Sequence, residues 1–293
     1  MIIAQLNGGL GNQMFQYANG RACAMRLGTG LRLDISEFKV RLHHQGYELS
    51  NIFNGPFEVA SAGDVRKLVG YFSSQRLHRL VSKIPFFLRK HSYVQEPFFE
   101  YWDGIKGVKN NSYLSGYWQS EKYFDQFRAQ IIKDFSFKDS LEGLNASIAA
   151  QISSDGIVPI SLHVRRGDYV SSSKTQAYHG TCSLDYYQRA IYYFSDKFKN
   201  VHFFVFSDDP VWVKKNLQIH FPHTFVSHNA GNASFKDMRL MSLCNHHILA
   251  NSSFSWWGAW LNQSPNKIVI APIHWFLADI NTKDLLPSSW IRL

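Results

Sequence analysis

Between residues 158 and 271 one pattern repeats. Short runs of β-branched and aromatic residues at 158–163, 201–206, 224–226, 247–250 and 267–271 alternate with helical spacing at 183–198, 210–217, 235–243 and 255–262. Strands with little polar alternation are buried on both faces, and strands that alternate with helices pair in parallel. The pattern predicts a parallel sheet covered by helices on both sides. A unit of the same kind opens the chain: an apolar run at 2–6, the turn Asn7-Gly8-Gly9-Leu10-Gly11-Asn12, helical spacing of Met14, Tyr17, Ala18, Ala22 and Met25, and a strand at 31–35. Residues 40–112 carry no assignable periodicity; a strand at 113–118 and helices at 121–134 and 140–152 follow. With the polar turn Ser153-Ser154-Asp155-Gly156 as boundary, the expectation is an α/β protein of two Rossmann-like domains, 1–154 and 155–293, facing each other across a cleft.

A hydrophobic fraction of 45%, with 15% aromatics, is enough for two packed cores and excludes a disordered chain. No apolar run is long enough to span a bilayer, and the first residues lack the basic region and cleavage site of a signal peptide, so a cytoplasmic protein is expected. Cys23, Cys182 and Cys244 are far apart and form neither a disulfide framework nor a zinc spacing. The formal charge of +9 favours an anionic partner: nucleic acid, an acidic membrane surface or a phosphorylated small molecule. Segment 65–92 mixes Arg66, Lys67, Arg76, Arg79, Lys83, Arg89 and Lys90 with apolar residues. It reads as a solvated basic face, with peripheral contact to anionic lipid as the alternative.

The chemistry concentrates at strand ends. His163-Val164-Arg165-Arg166-Gly167-Asp168-Tyr169 follows the run at 158–162, so two guanidiniums and a carboxylate emerge where open α/β sheets bind ligands. A guanidinium holds a planar fork of donors and stays charged, which suits a phosphate or diphosphate. Ser207-Asp208-Asp209-Pro210 ends a strand and starts a helix, so its carboxylates either cap that helix or accept from a ligand. Asp237, early in the next helix, can accept two N–H groups from a guanine edge. Asn251-Ser252-Ser253-Phe254-Ser255-Trp256-Trp257-Gly258 crosses from strand end to helix start, where backbone N–H groups and hydroxyls suit a phosphate. The glycine turn at 8–11 lacks the last glycine of a dinucleotide fingerprint. Asn12 and Gln13 there either cap the helix or bond a ligand. No Asp-x-Asp occurs, which disfavours a metal-dependent sugar-nucleotide transferase, and no metal site or cofactor is expected. The tryptophans read as core.

Taken together, Gly8 to Ala18, the heptad from His163 to Tyr169 and the segment Ala250 to Gly258 resemble the bacterial α-1,2-fucosyltransferases, the family that includes the animal blood-group H enzymes. The resemblance spans nearly the whole chain. It implies two Rossmann-like domains of the GT-B type, GDP-β-L-fucose as donor bound by the C-terminal domain, inversion at the anomeric carbon, and a terminal galactose acceptor on the N-terminal side. It implies that Arg165 binds the diphosphate, with Arg166 and Asp168 completing the signature. His163, Asp209 and Asp237 would hold ribose and guanine, Ser252, Ser253 and Phe254 would form the phosphate turn, and Asn12 would line the fucose site. The α-1,6 branch carries a Glu eight residues after the first Arg as catalytic base; here that position is Ser173.

Three functions follow. The first is a metal-independent, inverting galactoside α-1,2-L-fucosyltransferase for a glycan or surface polysaccharide precursor. The second is a fucosyltransferase of other regiochemistry, such as α-1,6. The third, of another class, is a basic nucleic-acid-binding protein, which predicts affinity with a steep salt slope and no donor specificity. The Arg pair, serine turn and Asp237 at separate strand ends fit one nucleotide pocket better, with no nucleic acid as partner.

Overall fold

Every strand pairing in the two sheets is parallel. The computed structural model describes residues 1–40, 45–70, 91–167 and 173–293. Within them the chain forms two α/β units, Met1–Lys138 with Asn281–Leu285, and Asp139–Ile280 with Leu286–Leu293.

Unit 1 contains β1 (Ile2–Gln5), β2 (Leu31–Asp34), β3 (Tyr93–Gln95) and β4 (Ser112–Ser115), in the order β2-β1-β4-β3. Successive residues of β1 point to opposite faces, and each face has its own helix. A Cβ on Gly20 would lie 2.9 Å from Ala4 Cβ and Leu31 Cδ1, so helix Leu10–Arg26 rests directly on one face. Ile3, with Tyr93 and Tyr113, packs on Val65, Leu68 and Val69 of helix Ala62–Val69.

Unit 2 contains β5 (Val158–Val164), β6 (Val201–Ser207), β7 (His223–Val226), β8 (His246–Ile248), β9 (Val269–Ala271) and β10 (Ile291–Arg292), in the order β10-β9-β8-β5-β6-β7. The chain winds outward from β5 through β6 to β7, then returns to the other side of β5. The direction reverses between β5 and β8, the doubly wound order whose reversal point receives ligands at the carboxyl ends of the strands. Phe203 and Val205 join Ile160, Leu162 and helix Leu184–Lys197 in one core. Phe204 and Phe206, pointing the other way, join Leu240, Met241 and Ile152 in a second. Burial on both faces is why these strands show no polar alternation.

Several expectations are corrected. The division falls between Lys138 and Asp139, not at the turn 153–156, because Ile148, Ala149 and Ile152 of helix Gly143–Ile152 pack against β6 and helix Phe235–Leu243. Residues 281–285 return to unit 1, where Asp284 accepts from Tyr101 N–H (3.1 Å) and pairs with Lys122 Nζ (2.5 Å). The strand placed at 113–118 stops at Ser115 in a turn with Trp118 at φ 56°. The helix placed at 121–134 is two 3-10 turns followed by Arg128–Asp134. Among the described residues no helix is long and apolar enough to cross a membrane. Most of the basic segment 65–92, residues 71–90, lies outside the described residues.

Candidate active site

In unit 2 the exits of β5 and β6 are laced together. Asp208 Oδ1 accepts the backbone N–H of Arg166 at 2.8 Å, and Asp208 Oδ2 lies 3.1 Å from Arg165 Nη1. Asp209 accepts Trp212 N–H at 3.1 Å, capping helix Pro210–Asn216, and its other oxygen lies 3.4 Å from Arg166 Nε. The Arg166 guanidinium stacks on the Trp212 ring, 3.6 Å from its centroid. The two arginines therefore differ. Arg166 is clamped between an aromatic face and a carboxylate, whereas Arg165 pairs with Asp208, its side chain 24% exposed. Gly167 permits the lacing, since a Cβ there would fall 2.5 Å from Asp208 Oδ2.

The other side of the reversal point is the exit of β8. Ser252 caps helix Ser253–Leu261, its Oγ accepting Phe254 N–H at 3.3 Å, so the positive end of the helix dipole lies at the strand ends. Asn251 Nδ2 is spent on the carbonyls of His179, Gly180 and Trp275 at 3.0–3.2 Å, which makes it a staple rather than a ligand group. Trp256, Trp257 and Trp260 are buried and belong to the core. His163, near the end of β5, has its ring 5.8 Å from that of Phe254. Burial, reinforced by Arg165, pushes its pKa down to about 3, so it stays neutral and cannot act as a base near neutrality; its Nδ1 has no partner among the described residues. Asp237, in the first turn of helix Phe235–Leu243, is buried and accepts from Asn229 Nδ2 at 2.7 Å; burial raises its pKa to about 7.

Unit 1 gathers a different set of groups at its strand ends. Gly8 adopts φ 75°, and a Cβ on it would fall 2.7 Å from Asn12 Nδ2. Asn12 Oδ1 accepts from Gln119 Nε2 at 2.8 Å. Gln13 ties the glycine turn to the segment 46–48, donating to the Gly8 and Gly46 carbonyls and accepting Glu48 N–H. Gln16 accepts Asn7 N–H at 2.9 Å and donates to Gly116 O at 3.2 Å. Tyr17 and Arg21 both donate to Asp134. Most of the glycine-turn signature is thus internal scaffolding, with Asn12 at its mouth. Glu96, just past β3, accepts the N–H groups of Tyr117 (2.7 Å) and Trp118 (2.9 Å) and so fixes the turn that carries Gln119. Desolvation raises the carboxyl groups of Glu48 and Glu96 to about 7. Asp34 is committed to Tyr113 Oη and Ser36 N–H, which closes the dinucleotide-type reading of this turn.

Of the residues singled out from sequence, His163, Arg165, Arg166, Asp209, Asp237, Ser252, Ser253 and Phe254 all lie at strand exits or helix starts of unit 2, and Asn12 lies in unit 1. Asp168 and Tyr169 lie outside the described residues. Both Asp209 oxygens are engaged by the protein, in keeping with the capping alternative. Asn229, Gln119, Glu48 and Glu96 were not anticipated as site residues, and Asp208 was singled out only as one of the two carboxylates at its strand end.

Residues 82–293 match glycosyl transferase family 11. Over 301 aligned residues the chain is 36% identical to an α-1,2-colitosyltransferase of Escherichia coli, covering 100% of this chain and 99% of that protein. It is 35% identical to the O-antigen biosynthesis glycosyltransferase WbnK of Escherichia coli, also over 301 residues, covering 98% and 99%. A crystal structure of the α-1,6-fucosyltransferase NodZ soaked with GDP-fucose superposes with a TM-score of 0.53 at 15% identity, covering 92% of this chain and 94% of that one, and shares the two-unit GT-B fold. The nucleic-acid-binding alternative falls with these matches, for the chain belongs to glycosyl transferase family 11, the α-1,2-fucosyltransferase family.

Proposed function

We propose that the protein transfers L-fucose from GDP-β-L-fucose to the 2-hydroxyl of a terminal galactose, with inversion and without a divalent metal, in building a surface polysaccharide. The observation that carries this is the pairing, at one sheet reversal point, of the Arg165–Arg166 exit of β5 with the Ser252–Phe254 helix start after β8. Both are phosphate-binding devices, and together they offer positive charge to a leaving diphosphate. The acceptor oxygen attacks the anomeric carbon as the bond to the diphosphate oxygen breaks. Arg165 stabilises the charge that grows on the β-phosphate, and Asp237 and His163 hold the nucleoside. The acceptor proton leaves late, from a transition state of oxocarbenium character. Unit 1 takes the acceptor through Asn12, and the reaction runs in the cytoplasm, with residues 65–92 available for peripheral contact with an anionic membrane.

The full-length similarity to a colitosyltransferase favours a second reading of the donor: the 3-deoxy analogue of fucose, GDP-colitose. Incubation with lactose and an equimolar mixture of the two donors, followed by linkage analysis, tests both readings. A fucosyl α-1,2 product supports the first and a colitosyl product the second; an α-1,6 linkage, or no transfer from either donor, refutes both.

A further inference from the structure

The carboxylate of Asp237 is gripped by a chain of amides with no part in the reaction described above. Asn229, in the loop after β7, donates from Nδ2 to Asp237 Oδ1 at 2.7 Å and to Asn145 Oδ1 at 2.7 Å. Asn145, on helix Gly143–Ile152, returns a bond from its own Nδ2 to Asn229 Oδ1 at 2.9 Å. His228 Nε2 lies 3.0 Å from the same Asn145 oxygen. The two carboxamides thus form a closed pair. An isolated carboxamide can exchange its oxygen and nitrogen ends at little cost, because the two are nearly the same size. Here a flip of Asn229 would set oxygen against the Asp237 carboxylate and break both bonds of the pair. Both N–H groups of Asn229 are consumed, so it has no donor left for a ligand. Asn145 is 6% exposed and Asp237 8%, so water does not replace these bonds cheaply.

We infer that Asn229, locked by Asn145, is a positioning residue that aims the Asp237 carboxylate at a purine edge with two adjacent N–H donors, and that this lock sets the preference for guanine over bases with one. The inference rests on the reading of Asp237 as the base-recognising carboxylate. Guanine presents N1–H beside its 2-amino group, whereas hypoxanthine presents N1–H alone. A carboxylate fixed in the plane of the base takes both bonds, and a swivelling one loses much of the second. A hydrogen bond to a charged group is worth about tenfold or more in affinity, so the wild-type protein should prefer GDP to IDP by about that factor.

Calorimetry of GDP and IDP binding to the full chain, for wild type, Asp237→Asn, Asn229→Ala and Asn145→Ala, tests this, with thermal melting to show that each variant is folded. The expected result is that all three variants bring the GDP-to-IDP preference close to unity, with most of the loss on GDP. If Asp237→Asn abolishes the preference and the folded asparagine variants keep it, the inference is overturned while the reading of Asp237 stands. If Asp237→Asn leaves the preference intact, that reading fails and the inference with it. Equal weakening of GDP and IDP in the asparagine variants would mark the pair as mere packing and also overturn the inference. Should Asn229→Ala not fold, Asn145→Ala decides, because it removes the lock and leaves Asn229 in place.

Discussion

The carboxyl edges of the two sheets are built from opposite chemistries. In unit 2 the strand exits carry two guanidiniums, each paired with an aspartate, a serine-capped helix start and a histidine held neutral. In unit 1 the corresponding exits carry amides, Asn12, Gln13, Gln16 and Gln119, together with two carboxyl groups raised to about 7. Guanidiniums and helix starts select anions; amides both donate and accept, and here Gln13 and Gln16 spend theirs on backbone groups while Asn12 pairs with Gln119. On the proposed function, one topology serves two kinds of ligand, and the residues at the strand ends decide which.

The sharpest consequence concerns acid. His163 and His247 are buried and held below the ordinary histidine value, so near and below pH 6.5 the unfolded chain binds protons that the folded unit 2 refuses. Their contribution is complete above about 6.5 and is lost as pH falls; Asp237, raised to about 7, offsets one of the two protons. Glu48 and Glu96 run the other way. Raised to about 7, they take up protons in the folded unit 1 before the unfolded chain does, so stability rises there as pH falls from about 7 towards 4.5. Each such proton is worth up to about 1.4 kcal/mol per pH unit. Between pH 6.5 and 5, the amides of β6 should therefore lose hydrogen-exchange protection, corrected for intrinsic rates, while those of β1 keep theirs. Equal loss in both sheets, or earlier loss in β1, would break the contrast.

Next in size is the loss of the guanidinium fork. Arg165→Lys keeps the charge but cannot bridge Asp208 and a phosphate in one plane, so turnover should fall on the order of a hundredfold while the protein melts normally. Turnover near wild type in the folded variant would remove Arg165 from the reaction.

The cationic edge is legible in the sequence and the amide edge largely is not. Arg165, Arg166, Asp208 and Ser252 are adjacent to runs such as 201–206, whose burial on both faces leaves an unbroken apolar signature. In unit 1, β3 has three residues, too few to show a period. The helix Ala62–Val69 announces itself only through the capping box of Ser61 and Asp64, where each side chain bonds the other's backbone. The amide contacts are long in sequence and chemically anonymous. Gln119 meets Asn12 across 107 positions, and Gln16 meets Gly116 across 100. Glu96 takes its two bonds from backbone N–H groups, which no side-chain motif records.

Glu96 gives a smaller and more selective effect. Glu96→Gln keeps the shape but turns an amino group towards one of two N–H donors, leaving it unpaired and loosening the turn that holds Gln119 on Asn12. The cost should appear as an acceptor KM raised by about tenfold, with GDP affinity unchanged by calorimetry. A matching loss of GDP affinity would mean that the turn serves the fold as a whole rather than the sugar.

The smallest expected effect is none at all. As the bond from the anomeric carbon to the diphosphate breaks, roughly one unit of negative charge moves onto the departing oxygen, and something positive must meet it. On the proposed function Arg165 and Arg166 meet it, and Asp208, Asp209 and Trp212 hold them in place beforehand. The N–H groups at the start of helix Ser253–Leu261 add a dipole of the same sign. These are the services that a divalent ion otherwise performs for a diphosphate. Turnover measured in excess EDTA, and again with Mg²⁺ or Mn²⁺ restored, should therefore stay level. A loss with EDTA that Mn²⁺ reverses would hand the neutralising role to an ion, and the cationic edge of unit 2 would then be the frame that orients the diphosphate rather than the group that pulls on it.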